Sequence, residues 1–147
     1  MWWKRIVSLA AVGLAMGVTV AADSGDVKVV VNGKNSMTSI DAGHLSKIFL
    51  KETMVWPDGS ETVPVDMAPE SGVRKRFSKR VHERKVAAIK SYWQRQIFSG
   101  KAIPPVEFTS EEDLLFFVAA TPGAVGYVSN STPLTEGVRE LRIEGLK

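Results

Sequence analysis

Thr121-Pro122-Gly123-Ala124-Val125-Gly126-Tyr127-Val128 is the stretch on which the reading of the chain turns. Proline followed by glycine stops a helix, because proline cannot continue one and glycine accepts a left-handed turn. The next residues, Ala124 to Val128, are apolar, short and bounded, which is the pattern of a strand covered on both faces. Upstream, Ser110-Glu111-Glu112-Asp113 is a close variant of a capping box, so a helix starts there and buries Leu114, Phe117 and Val118. Helix, turn and buried strand therefore follow one another in the last third of the chain.

The same alternation extends towards the N-terminus. Val27 to Val31 is a β-branched run closed by Asn32-Gly33, a strand with its exit turn. Ile40 to Leu50 places Leu45, Ile48 and Phe49 on one helical face, with Asp41 as N-cap and Ile40 able to staple against Leu45. Trp56-Pro57-Asp58-Gly59 is a turn, and Thr62 to Val65 reads as a strand in which Pro64 marks an edge or an end. Val73, Phe77 and Val81 recur at helical spacing within Ser71 to Glu83, an amphipathic helix with a basic outer face. A further helix spans Val86 to Phe98, with Ile89, Trp93 and Ile97 inward and Ser99-Gly100 at its end. Val106 to Phe108, after Pro104-Pro105, is extended, and Val138 to Ile143 alternates as a last strand. Strands interleaved with helices predict an α/β domain: a three-layer αβα sandwich on a mixed, mainly parallel sheet.

The N-terminus predicts export. Met1-Trp2-Trp3-Lys4-Arg5 carries only positive charge, Ile6 to Val20 is apolar or small, and Val20-Ala21-Ala22 precedes Asp23. That is the order of a secretory signal peptide, and the apolar run is shorter than the roughly 20 residues that span a bilayer. We assign residues 1–22 to a signal peptide, cleaved after Ala21 or Ala22, and residues 23–147 to one domain, expected in the periplasm. With no cysteine in 147 residues, thiol chemistry, disulfides and lipid attachment through cysteine are excluded.

The formal charge of +3 falls close to neutrality once Lys4 and Arg5 leave, so nucleic acid is not an expected partner. The charge is nevertheless uneven. Arg74, Lys75, Arg76, Lys79, Arg80, Arg84, Lys85 and Lys90 crowd one stretch against Glu83 alone. Such a face is either simply solvated or attracts anionic ligands, an acidic protein or lipid head groups.

Two segments resemble a known family. Leu45-Ser46-Lys47-Ile48-Phe49-Leu50 with Trp56, and Thr121-Pro122-Gly123-Ala124-Val125-Gly126-Tyr127-Val128, are similar to segments of phosphate-binding periplasmic proteins of the type II periplasmic binding fold. Val63-Pro64-Val65 followed by Ser71-Gly72 and Phe77 falls where that family has a strand, an anion loop and a helix. The family's proteins have two lobes closing on the ligand, and this chain has length for one. The family's anion loop runs Arg-x-Asp-Gly-Ser-Gly-Thr; here Met67, Pro69 and Val73 stand at its arginine, aspartate and threonine, and only Ser71 and Gly72 carry over.

The resemblance implies a binding protein for a small oxyanion, phosphate first, working with a membrane transporter or another periplasmic partner. Ser71, Gly72, Val73 and Arg74 are the candidate ligand-binding residues. The first turn of a helix leaves N–H groups unpaired and carries partial positive charge, and Arg74 would replace the lost arginine. The plainer reading is that Ser71 caps its helix, Arg74 points to water, and the chain is an interaction protein that kept the lobe without its ligand. Asn32 and Ser36 join the candidates by fold analogy, since ligands of open α/β sheets sit beyond strand C-termini. His44 and His82 lie far apart with no ligand-spaced acids, so neither a metal nor a cofactor is expected. No Ser-His-Asp set or carboxylate pair stands out, so no catalytic residue and no enzymatic activity are expected. Trp56, Trp93 and Tyr127 read as core.

Overall fold

The computed structural model describes residues 26–146, and the expected signal peptide lies outside them. Six strands form one sheet: β1 (Val27–Asn32), β2 (Ser39–Asp41), β3 (Val63–Met67), β4 (Val106–Phe108), β5 (Ala124–Ser129) and β6 (Val138–Glu144). Their order across the sheet is β2-β6-β1-β5-β3-β4. Three neighbouring pairs are parallel, and both antiparallel pairs involve β1. β1 therefore runs against the other five strands.

Four α-helices are seen among the described residues: α1 (Ala42–Phe49), α2 (Gly72–Phe77), α3 (Val86–Phe98) and α4 (Glu111–Ala120). Of these, α1, α2 and α4 pack on the sheet, whereas α3 packs against Leu50, just beyond α1. Consecutive residues of a strand point to opposite faces, and β5 uses this directly. Tyr127 stacks on Phe77 of α2 with ring centroids 3.8 Å apart. A Cβ on the preceding Gly126 would meet Leu114 of α4 at 2.8 Å. Thus α2 and α4 lie on opposite faces, and the three layers predicted above are present. A sheet covered twice explains why Val29, Val30 and Val31 are all buried in β1, and why Ala124 to Val128 are buried without interruption in β5.

The caps are where the sequence puts them. Asp41 accepts from the amides of Gly43 and His44, Ser71 from Arg74 and Ser110 from Asp113. Other expectations are corrected. The helix expected from Ser71 to Glu83 becomes α2 followed by a π-helical turn, Ser78–His82, ended by Glu83 in the left-handed region at φ 54°. The extra residue in that turn brings Val81 and His82 inward together. Of the edge or end expected for Pro64, the end holds and the edge does not: β3 lies between β5 and β4, Pro64 is its second residue, and the β4 ladder begins only at Val65, so the N–H that Pro64 lacks is not needed. Ile97 is 53% exposed rather than inward, since α3 packs through Ile89 and Trp93 against Leu50 and its last turn lies beyond that contact. Phe117 is half-buried against Phe108, and Leu115 takes the core position.

Candidate functional site

The candidate site is built where β3 hands over to α2. Ser71 is an N-cap: its backbone is extended (φ −69°, ψ 143°) and its Oγ accepts from the Arg74 amide at 3.1 Å. That hydroxyl is committed to the helix. Val73 is buried, while Gly72 faces solvent.

Arg74 neither meets a ligand at the surface nor points to water. It is 3% exposed, donates from Nη1 to the Met67 carbonyl at 2.8 Å, and lies 3.2 Å from Asp66 Oδ1. Glu107 approaches the same nitrogen at 3.8 Å. Asp66 also accepts from the Tyr127 hydroxyl at 2.5 Å, and that hydroxyl accepts from the Met67 amide. Arg74, Asp66 and Tyr127 thus form one buried polar cluster beneath α2, and the expectation of Arg74 as the exposed cation is corrected.

Arg76 occupies the position expected of Arg74. Its Nη1 would lie 3.2 Å from a Cβ on Gly72, so its guanidinium crosses the opening turn of α2. Its Nη2 is 3.4 Å from Ser129 Oγ, and its Nε is buried without a hydrogen-bond partner among the described residues. Glu111, the first residue of α4, accepts from the Ser129 amide at 2.7 Å and from the Thr132 hydroxyl. Partial burial pushes the Glu111 carboxyl up, but these hydrogen bonds and the charge of Arg76 outweigh it and hold the group below its ordinary range. Sequence spacing did not mark Arg76, Ser129 or Glu111. The clue was that Ser129 follows directly on the buried run of β5, and so ends a strand beside the β3 exit.

Asn32 and Ser36 do not belong to this site. The register pairs Val27 with Ser129 and Val31 with Val125, so the C-terminal end of β1 lies at the other end of the sheet from Met67 and Ser71. Five residues of strand, about 16 Å, separate the two ends. Because β1 runs antiparallel to both neighbours, its C-terminal end lies with the N-terminal ends of the other strands. Asn32 is buried and donates from Nδ2 to the carbonyls of Val118 and Ala119, tying down the end of α4. Ser36 is exposed and donates to Asp58 Oδ2 at 2.7 Å. Among the described residues no group of three or more His, Cys, Asp or Glu is placed to hold a metal, and no helix is long and apolar enough to cross a membrane.

Solved structures share this fold. A phosphate transport receptor of the ABC type from Vibrio cholerae superposes with a TM-score of 0.63 at 19% identity, over 82% of this chain and 47% of the receptor. A substrate-binding protein assigned to a phosphate ABC transporter of Clostridium perfringens, solved with phosphate bound, gives 0.63 at 14% identity over 82% and 46%. PstS from Borrelia burgdorferi gives 0.53 at 16% identity over 82% and 48%. The chain has the fold of one lobe of these receptors. It spans less than half the length of each. No family model matches the sequence, and no curated protein matches it.

The buried cluster under the site sets a pH response. Burial lifts the Asp66 carboxyl to about 6, against the pull of Arg74 and the Tyr127 hydroxyl. Burial, reinforced by the charges of Arg74 and Arg84, holds His82 down at about 4. Between pH 4 and 6 the folded chain keeps a proton on Asp66 that the unfolded chain releases, so this group makes stability fall as pH rises. His82 acts oppositely: the unfolded chain takes up a proton below 6.5 that the folded chain refuses, so stability falls as pH falls towards 4. Asp58 and Glu111, both depressed, act at or below the acid edge of this window. The two opposed slopes are expected to leave the urea midpoint of the wild type nearly flat from pH 4.5 to 6. In His82→Gln the midpoint should decline as pH rises through the same window. A flat profile in that variant would show that Asp66 does not hold its proton.

Proposed function

We propose that this chain is an exported, non-enzymatic solute-binding-like protein that takes a small oxyanion, phosphate first, at the opening of α2. Its N-terminal signal pattern supports a periplasmic location, and its likeness to phosphate transport receptors makes a transporter or another periplasmic protein its natural partner. The observation that carries the reading is Arg76. Its guanidinium lies across the exposed Gly72 turn beside Ser129 Oγ, with a buried Nε that no group among the described residues satisfies. An oxyanion there would meet a planar cation, a hydroxyl and the first amides of a helix. One lobe offers one wall, so affinity is weak unless a partner closes the cleft.

Thermal unfolding tests this. Phosphate at a hundred times its dissociation constant stabilises by about 2.7 kcal/mol, several degrees for a domain of this size. Phosphate is expected to raise the midpoint above that in chloride of equal ionic strength, and Arg76→Ala should remove the difference. Equal midpoints in phosphate and chloride would reject the reading. They would favour an interaction protein that kept the lobe and lost its ligand, an alternative supported by the inward turn of Arg74 and the capping role of Ser71.

A further inference from the structure

The basic stretch read from the sequence divides in two. Arg74 is buried and Arg76 and Arg80 are half-buried, Arg80 paired with Asp26. Lys75, Lys79, Arg84 and Lys85 stay exposed and form no ion pair among the described residues. These four, with Glu83 and Val86, line a concavity of about 720 Å³ between α2, the π-helical turn and the start of α3.

The frame of this concavity is fixed by the backbone. The Ser78 hydroxyl, fully buried, donates to the Arg84 carbonyl at 2.7 Å, and the amides of Glu83 and Arg84 both return to the Ser78 carbonyl. With Glu83 in the left-handed region, the chain reverses so that Arg84 and Lys85 lie across from Lys75 and Lys79, which are one turn apart on their helix. Val86 and the aliphatic stems of the lysines supply apolar wall beneath the charges.

We infer that this concavity docks an acidic polypeptide segment of a partner protein. Charge complementarity identifies the occupant: four cations and one carboxylate surround the space. Each cation is solvent-exposed, and exposed pairs contribute little singly. A compact ion would gain little here, whereas a chain bearing several carboxylates sums the contacts and sets an apolar side chain or stem against Val86. This surface uses none of the groups at the opening of α2, so it stands whether or not an oxyanion binds there.

The test is fluorescence anisotropy with a labelled glutamate-rich peptide and its glutamine counterpart. The glutamate peptide is expected to bind and the glutamine peptide not to bind, with affinity falling as salt rises from about 0.05 to about 0.3 M. The paired reversals Lys75→Glu with Lys79→Glu, and Arg84→Glu with Lys85→Glu, should each weaken binding about tenfold. The control pair Arg95→Glu with Lys101→Glu, exposed at the far end of α3, should change it less than about twofold. Unchanged thermal midpoints establish that the variants are folded. Equal losses in the control pair would overturn the proposal, as would binding to phosphatidylglycerol vesicles or pyrophosphate with none to the peptide. An unaltered phosphate response in the Arg84→Glu, Lys85→Glu chain would show that the two surfaces are independent.

Discussion

Arg74→Met is expected to cost about 3–5 kcal/mol of folding stability, although arginine is a residue usually found at the surface. The cost is that of a carboxylate left behind. Asp66, 4% exposed, has Arg74 as its nearest cation at 3.2 Å, and methionine fills the space without the charge or the hydrogen bond to the Met67 carbonyl. The stranded carboxyl can retreat only by holding its proton more tightly. The deficit should therefore be smaller at pH 5 than at pH 8. Adding Asp66→Asn should recover part of the loss, because a neutral pair needs no counter-charge and the new amide oxygen can still accept from the Tyr127 hydroxyl. Urea unfolding of the two single variants and the double variant gives the coupling directly. A loss below about 1 kcal/mol in Arg74→Met would mean that the pair is solvated rather than buried.

That pair also shows how far the sequence could be read. The signals that proved legible are local. Asp41, Ser71 and Ser110 cap their helices because each supplies an oxygen within three residues of the amide that needs it. The Thr121-Pro122-Gly123 stop and the apolar run after it fix β5 without reference to the rest of the chain. Strand direction is not local: Val-Lys-Val-Val-Val reads the same whichever way its neighbours run, and the reversal of β1 carried Asn32 and Ser36 to the wrong end of the sheet. β2 is three residues long and leaves no periodicity to detect. The burial of Arg74 did leave a trace. Asp66 is a lone carboxylate inside the otherwise apolar Val63-Pro64-Val65-Asp66-Met67, and a charge in such a strand demands a buried partner. A cation one loop away was the obvious supplier, which leaves Arg76 as the one at the mouth.

Gly123→Ala is expected to cost more than about 3 kcal/mol, because three separate demands meet at that position. Its φ of 81° is left-handed, where an added Cβ alone costs about 1–2 kcal/mol. That Cβ would also lie inside contact distance of the Glu61 carbonyl oxygen, a backbone atom that cannot swing aside as a side chain would. Finally, the Gly123 carbonyl accepts from the Val63 amide at 3.0 Å and from Trp56 Nε1 at 3.1 Å, so any shift of the turn pulls on the β3–β5 ladder and on a tryptophan that is 1% exposed. Gly100→Ala separates these effects. Its φ of 66° carries a similar conformational cost, but a Cβ there meets nothing within 4 Å. Gly100→Ala should therefore lose only about 1–2 kcal/mol and leave Trp56 undisturbed. The Trp56 indole N–H resonance reports the difference, moving in Gly123→Ala alone. Equal losses in the two variants would mean that the approach to Glu61 relaxes without cost. Glycine would then be required at this point of Thr121-Pro122-Gly123 only for its left-handed backbone.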